Sequence, residues 1–466
     1  MVYKRNKTIL IVLSSKTYYR NYITTDAFKI LRKNYDLNFL LSSEITKFKE
    51  LSSEKVFFFD PDKKSDAQHL RIFNLLMWRN RDKSLSFNFR IKRFHQLKLY
   101  FPAKTHISTK IIKIAWRLIQ WALIRFEAYI IVSSPFFSSY LKLFTMNLRP
   151  HPALVNVLEE VAPDLVIYPS SAYEAIGNDV ITECKIRNID SLFLIDNWDN
   201  LSSKSVLWQK PSYISVWGEQ SKMHAINIQG MNERQIFKLG TPRFDSYFKL
   251  RDTKLESPYP YKYILFVGTT LPFNEAQALV AMDKAIDKNQ ALFSKTKIIY
   301  RPHPWRQGKD SISGFKLKHV IVDQQLKAAY FSGDFTENNQ PEISYYPKLL
   351  QNAEFVTGGL TSMVIEATIF RKPFVALVHE DDSLVTTPKN IYNNYTHFQD
   401  INKMNNIIFC NCLKEVNKSF YSANKQKLIK MNNEIDKNRM FFYHNNDHDY
   451  AQNLNDICNK IFSVSP

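Results

Sequence analysis

Glycine is scarce in this chain: 466 residues hold only 10. That excludes collagen-like and Gly-rich low-complexity architectures. It also makes each loop glycine informative, since glycine reaches backbone conformations that strain other residues. Cysteine is scarce too. The four, Cys184, Cys410, Cys412 and Cys458, are scattered, and Cys410-Asn411-Cys412 has the wrong spacing for a zinc knuckle. They read as reduced thiols in a reducing compartment. No long apolar run opens the chain. Thr8–Leu13 is short and lacks a small-residue cleavage site, so it reads as a first buried strand rather than a signal peptide. A cytoplasmic location is therefore expected, and sequons such as Asn394-Tyr395-Thr396 carry no meaning.

Acidic residues are missing from one long stretch. Between Asp82 and Glu127 the charges are all basic: Lys83, Arg90, Lys92, Arg93, Lys98, Lys104, Lys110, Lys113, Arg117 and Arg125. These ten make up about half of the net charge of +19. Such an excess points to an anionic partner. Aromatic and aliphatic residues are interleaved with the charges. The span 111–126 has no helix breaker and is too short and too charged to cross a bilayer. With Trp116 and Trp121 it has the make-up of an interfacial amphipathic segment. On that reading Lys92, Arg93, Lys113 and Arg117 meet an anionic membrane surface. An ordinary helix with one core face and a solvated basic face is the competing reading. No zinc finger or RNA-binding aromatic signature is present, so nucleic acid is not expected as a partner.

What is present is ample core-forming material, with 45% hydrophobic and 14% aromatic residues. The length suits two domains. Strand-like and helix-like segments alternate along residues 1–250. Strands are expected at 9–13, 37–41, 56–59, 165–168, 191–195, 213–216 and 236–239, and helices at 24–33, 152–161, 173–187 and 220–229. The polar, Pro-containing stretch 249–261 separates this half from a second, residues 251–466. There strands are expected at 263–267, 297–300, 320–322, 355–357 and 374–377, and helices at 276–287, 344–352 and 362–370. The tail from Ile401 reads as mostly helical and able to pack back across the boundary. The rhythm is that of α/β, doubly wound, Rossmann-like domains, two of them facing a central cleft. Open parallel sheets bind ligands beyond the carboxyl ends of their strands, so chemistry is expected in the loops there.

Four such loops stand out. In Thr357-Gly358-Gly359-Leu360-Thr361-Ser362, glycines permit close backbone approach and hydroxyls sit at a helix start, a ready anion site. Glu366, one turn on, is placed to accept ribose hydroxyls. In Arg301-Pro302-His303-Pro304, two prolines brace His303, and Arg301 and His303 suit a phosphate or phosphate leaving group. Gly268-Thr269-Thr270 offers backbone N–H groups but lacks the Lys-Ser/Thr ending of a Walker loop. The run Asp196-Asn197-Trp198-Asp199-Asn200-Leu201-Ser202-Ser203-Lys204 is dense in polar groups. There Asp199 is placed as a general base toward an acceptor hydroxyl, with Asp196 and Glu174 as rivals, and Lys204 suits an anionic group. Gly240-Thr241-Pro242-Arg243-Phe244-Asp245 reads as a structural turn at the end of the first domain. No metal site is expected, because His379-Glu380-Asp381-Asp382 reads as a surface acidic turn.

Together these segments resemble the GT-B glycosyltransferases, and more narrowly the bacterial surface-carbohydrate group that shares its fold with UDP-N-acetylglucosamine 2-epimerase. The Asp196-to-Lys204 run, Val216-Trp217-Gly218-Glu219-Gln220 and Gly240-to-Asp245 carry the resemblance. Arg301-Pro302-His303-Pro304 resembles the His-Pro motif of capsule-type transferases with CMP- or CDP-linked donors. The resemblance spans about residues 160 to 400. It implies that a nucleotide-sugar is the substrate, with no cofactor and no metal. The second domain would hold it through Arg301, His303, Gly268, Thr269, Thr270, Gly358, Gly359, Thr361, Ser362 and Glu366. Ser170, Ser171, Glu174, Asp196, Asp199, Asn200 and Lys204 would face a glycan or lipid-linked acceptor. A UDP-sugar epimerase or hydrolase, and a non-catalytic scaffold, are the alternatives of the same fold.

Overall fold

The structure is a computed structural model that describes residues 7–95, 106–303, 312–332, 343–381, 385–428, 432–444 and 449–464. Pro304, Trp305, Asp382, Lys98 and Lys104 lie outside the described residues.

The first sheet contains β1 (Thr8–Leu13), β2 (Asp36–Ser42), β3 (Lys55–Phe59), β4 (Leu165–Ser170), β5 (Asp190–Ile195), β6 (Tyr213–Val216) and β7 (Ile236–Lys238). Its strand order is β3-β2-β1-β4-β5-β6-β7. The second contains β8 (Tyr263–Val267), β9 (Lys297–Arg301), β10 (Val320–Val322), β11 (Val356–Gly358), β12 (Phe374–Leu377) and β13 (Ile407–Cys410), in the order β10-β9-β8-β11-β12-β13. Every neighbouring pair is parallel. Helices cover both faces of such sheets, so their strands read as unbroken apolar runs. Ile9 to Leu13 and Tyr263 to Phe266 accordingly have no exposed surface. In each sheet the strand order reverses once, between β1 and β4 and between β8 and β11. These are two Rossmann-like domains, and each reversal opens a crevice for a ligand.

Two segments differ from the expectation. Residues 24–30 form turns rather than a helix, because Asp26 takes a left-handed φ of 58°, and only Leu31–Asn34 is helical. The tail is not all helix either. β13 adds an edge strand beside β12. Its four residues lie in an Asn-rich setting that masks a strand pattern.

Apolar packing joins the two halves. Trp198, Trp217 and Phe244 from the first share one core cluster with Leu265, Val356 and Phe374 from the second and with Phe442 and Tyr443 from the tail. Trp198 sits 5.7 Å from Phe442, and Trp217 sits 5.7 Å from Tyr443, both edge to face. The tail then returns to the first domain. Leu454, Cys458 and Ile461 of the helix Tyr450–Val464 bury against Ile9, Leu37 and Leu165. The inserted helix Leu85–Phe94 forms another bridge. Thr396 donates its N–H to Ser86 Oγ at 2.9 Å, and Phe89 packs on Tyr395 at 5.8 Å.

Gly218 shows how close the tail comes. A Cβ there would lie 2.7 Å from the carbonyl carbon of Phe442. Backbone cannot swing aside as a side chain can, so Gly218→Ala is expected to cost about 1–3 kcal/mol. Urea unfolding measures this, and protection of Phe441 and Phe442 amides from hydrogen exchange should fall in step.

Candidate active site

The cleft between the two sheets holds a cavity of about 580 Å³. Loops from both reversal points line it. Thr17, Arg20 and Asn21 follow β1, and Tyr173 follows β4. Gly268, Thr269 and Thr270 follow β8, while Leu360, Thr361 and Ser362 follow β11. Asp196, Asp199 and Lys204 enter from the loop after β5, and Pro302 and His303 from the loop after β9. Of the residues expected from sequence, the cavity thus brings together Asp196, Asp199, Lys204, Gly268, Thr269, Thr270, Arg301, His303, Thr361, Ser362 and Glu366.

The others lie elsewhere. Ser170, Ser171 and Asn200 do not line this cavity, and neither do Gly358 and Gly359. The two glycines serve strand packing instead of ligand approach. Gly358 has a φ of 150°, and a Cβ on it would lie 2.3 Å from the Val267 carbonyl oxygen. A Cβ on Gly359 would meet Thr269 Cγ2 at 2.6 Å. Gly268 acts alike, since its Cβ would lie 2.8 Å from His303 N. Glu174 organises its own loop. It accepts from Ser170 Oγ at 3.0 Å, Ser171 N at 2.9 Å and the Tyr18 hydroxyl. It lines a second cavity of about 500 Å³, together with Ser14, Glu44, Asp62, His69 and Asp179. Tyr173 lines both cavities and so marks where they adjoin.

The two aspartates of the β5 loop sit in opposed environments. Burial pushes the Asp196 carboxyl up, and Arg243, the 3.0 Å bond from Asn21 Nδ2 and Arg20 do not cancel it. Burial acts on Asp199 too, but Lys204, His397 and the Ser203 hydroxyl at 2.7 Å outweigh it and hold the carboxyl low. Carboxylates pushed apart in this way divide acid-base work from charge anchoring. Asp196 is thus the raised carboxyl and Asp199 the lowered one. Glu366 is buried, accepts from Tyr247 Oη at 3.1 Å and faces Arg243 at 3.8 Å. Burial raises its carboxyl above the usual range despite Arg243.

Arg301 is held more tightly than the sequence suggests. Its Nη1 donates to Asp323 Oδ2 at 2.9 Å and its Nη2 to Tyr346 Oη at 3.1 Å. Asp323 has no exposed surface. The pair therefore braces the β9 loop, while His303 presents Nε2 to Thr270 Oγ1 at 2.8 Å across the cleft wall.

Several lining residues escaped the sequence reading. Arg243 was expected to be structural, yet it reaches the cavity with its guanidinium 4.8 Å over Phe244. Arg93 was assigned to a membrane surface, but it lines the cleft and faces the Tyr395 hydroxyl. Arg20, Arg90, Tyr247, Tyr346 and His397 also line it. Arg20 was reachable by the strand-end rule, since it follows β1. The others converge only through folding. The lining carries six cationic side chains, Arg20, Arg90, Arg93, Lys204, Arg243 and Arg301, against three carboxylates, Asp196, Asp199 and Glu366. Two of the guanidinium groups retain buried nitrogens with no acceptor in the described chain, Arg20 Nη1 and Arg243 Nε. Among the described residues no cluster of His, Cys, Asp and Glu is arranged to hold a metal.

No family model matches the chain, and no curated protein matches it. Solved structures do. UDP-GlcNAc 2-epimerase from Methanocaldococcus jannaschii aligns over 97% of this chain and 99% of its own, at 12% identity and TM-score 0.51. S. aureus MnaA, solved with UDP, aligns over 98% and 97%, at 10% identity and TM-score 0.52. A UDP-N-acetylglucosamine 2-epimerase from Listeria monocytogenes aligns over 99% and 98%, at 10% identity and TM-score 0.52. At such identities the likeness establishes the fold, two facing Rossmann-like domains of the GT-B kind, and nothing finer.

Two outcomes follow from this geometry. Asp323→Leu strands the buried Arg301 charge and should cost about 3–5 kcal/mol in urea unfolding. His224 is buried beside His397 and is pushed down to about 4, first by burial and then by His397. Its folded value lies below its unfolded one, about 6.5. Its share of stability is therefore full above about pH 6.5 and lost as pH falls toward about 4. His224→Gln should shrink the stability difference between pH 7 and pH 5 by about 1–2 kcal/mol.

Proposed function

We propose that the protein is a glycosyltransferase that moves a sugar from a CMP-, CDP- or UDP-linked donor to a surface-polysaccharide or lipid-linked glycan acceptor. One observation carries the reading. Two arginines, Arg20 and Arg243, meet in a cleft with excess positive charge and keep buried N–H groups that no described chain atom accepts. An unmet buried donor costs about 1–3 kcal/mol, so the site is poised for an oxyanion. A nucleotide phosphate suits it, bound across the two strand-reversal crevices as in dinucleotide folds.

On this reading the β8, β9 and β11 loops hold the nucleotide through Thr270, His303, Thr361 and Ser362. The acceptor hydroxyl attacks the anomeric carbon and gives its proton to Asp196. The bond from that carbon to the phosphate oxygen breaks, and Arg20 and Arg243 stabilise the charge on the leaving nucleotide. Asp199, held low by nearby Lys204, stays charged as an electrostatic support. The second cavity behind Tyr173 offers room for a separate acceptor. That favours a transferase over an enzyme with a single substrate. A UDP-sugar 2-epimerase is the second reading, favoured by the epimerases among the structures of similar fold.

Calorimetric titration with CMP, CDP, UDP and UDP-sugars tests the site. One nucleotide should bind, and Arg243→Met should weaken it at least about tenfold, or about 1.4 kcal/mol. Asp196→Asn should keep that affinity within about twofold and slow turnover by about 10²–10⁴-fold. No binding by any of these ligands would overturn the proposal. Deuterium incorporation at sugar C2 in heavy water, without any acceptor, would select the epimerase.

A further inference from the structure

The helix Ile107–Phe126 carries a broad apolar face on its exposed side. None of its residues is buried. Positions 110, 114, 117, 121 and 124 are half-buried and face the body. They are Lys110, Ile114, Arg117, Trp121 and Ile124, so the inner side mixes charged and apolar residues. Trp121 fixes that side by donating its indole N–H to the His95 carbonyl at 2.7 Å. The opposite side carries Ile112, Trp116, Ile119, Leu123 and Phe126, spaced three and four apart and so stacked on one face. These five are 70%, 60%, 52%, 62% and 53% exposed. Ile107, Ile111 and Leu118 widen the stripe. A monomer rarely leaves so broad an apolar face in water unless something covers it.

Charge selects what covers it. From residue 83 to residue 158 the chain has one acidic residue, Glu127. That carboxylate is already taken by Arg71 and by Tyr140 Oη at 2.5 Å. Exposed Lys113 flanks the apolar stripe, and Arg125 lies over Trp121 at 4.8 Å. Nucleic acid would match the charge but would leave the aliphatic face wet. A second copy would match the apolar face but would bring like charges together. An anionic lipid surface satisfies both at once. The helix has 20 residues, about 30 Å at 1.5 Å per residue. Among the described residues no helix is long and apolar enough to cross a membrane. The helix would therefore lie along the interface.

We infer that the outer face of the helix Ile107–Phe126 docks the protein on an anionic bilayer. The contacts are Ile112, Trp116, Ile119, Leu123 and Phe126, with Lys113 at the headgroups. This corrects the assignment from sequence, because Arg117 faces the protein and Arg93 lines the cleft.

Flotation of the full chain with phosphatidylcholine vesicles, with and without phosphatidylglycerol, tests it. Binding is expected only where phosphatidylglycerol is present. Ile119→Glu/Leu123→Glu should reduce partitioning at least about tenfold, and Lys113→Glu by about fivefold or more. Both variants should keep the wild-type melting temperature and nucleotide response, since the replaced side chains are exposed and far from the cleft loops in the chain. Absence of binding to the anionic vesicles overturns the inference. So does a dimer in light scattering that Ile119→Glu/Leu123→Glu turns into monomer, because a second copy then covers the face. A fall in melting temperature of the double variant would also overturn it, by showing the face already packed.

Discussion

The edge-to-face contact of Trp198 and Trp217 with Phe442 and Tyr443 is the constraint on which the rest of the molecule depends. Two open sheets have no reason to face one another unless something buried spans the gap. Here the span is aromatic and comes from three separated parts of the chain: the loops after β5 and β6, the second sheet, and the tail. Aromatic pairs combine large buried area with directional preference, so they set orientation as well as proximity. The tail carries Phe442 and Tyr443 into the gap and then returns to cover the first sheet with the helix Tyr450–Val464. Gly218 is the clearance that lets it pass.

The electrostatics of the cleft follow from that packing. Arg243 lies over Phe244, within the same cluster, and from there faces Asp196 of one loop and Glu366 of the other domain. A guanidinium stacked on rings is weakly hydrated and rigid, which keeps its donors aimed. Burial raises Asp196 and Glu366, while Lys204 and His397 lower Asp199. Burial therefore wins at two of the three carboxylates, and the charged and hydroxyl partners win at the third. Arg301 behaves otherwise. Its bond to fully buried Asp323 commits it to the architecture of the β9 loop, and the cleft inherits a positioned His303.

The inserted helices tie the catalytic reading to the surface reading. The helix Leu85–Phe94 gives Arg90 and Arg93 to the cleft and Ser86 to the opposite domain. The next helix leaves its apolar face outward. One basic, aromatic stretch thus divides its side chains between the cleft and an exposed apolar face, the proposed lipid-docking surface.

Strands, their order of appearance and several of the loops that line the cleft were legible in the sequence. A parallel strand buried on both faces must be apolar, and a ligand loop must follow it. Ile9–Leu13, Tyr263–Val267, the Asp196–Lys204 run and the Thr361-Ser362 turn were readable on that ground alone. The turns before Leu31 and the short β13 were not, because one left-handed Asp26 and one edge pairing decide them. The roles of Gly358 and Gly359 were also hidden, since their crowding by Val267 and Thr269 arises between strands distant in sequence. Chemical type, periodicity and net charge are local and survive in the sequence. Which arginine meets which carboxylate, which carboxyl is pushed up or held low and which helix face looks outward depend on distances across the fold, and only the tertiary structure decided them.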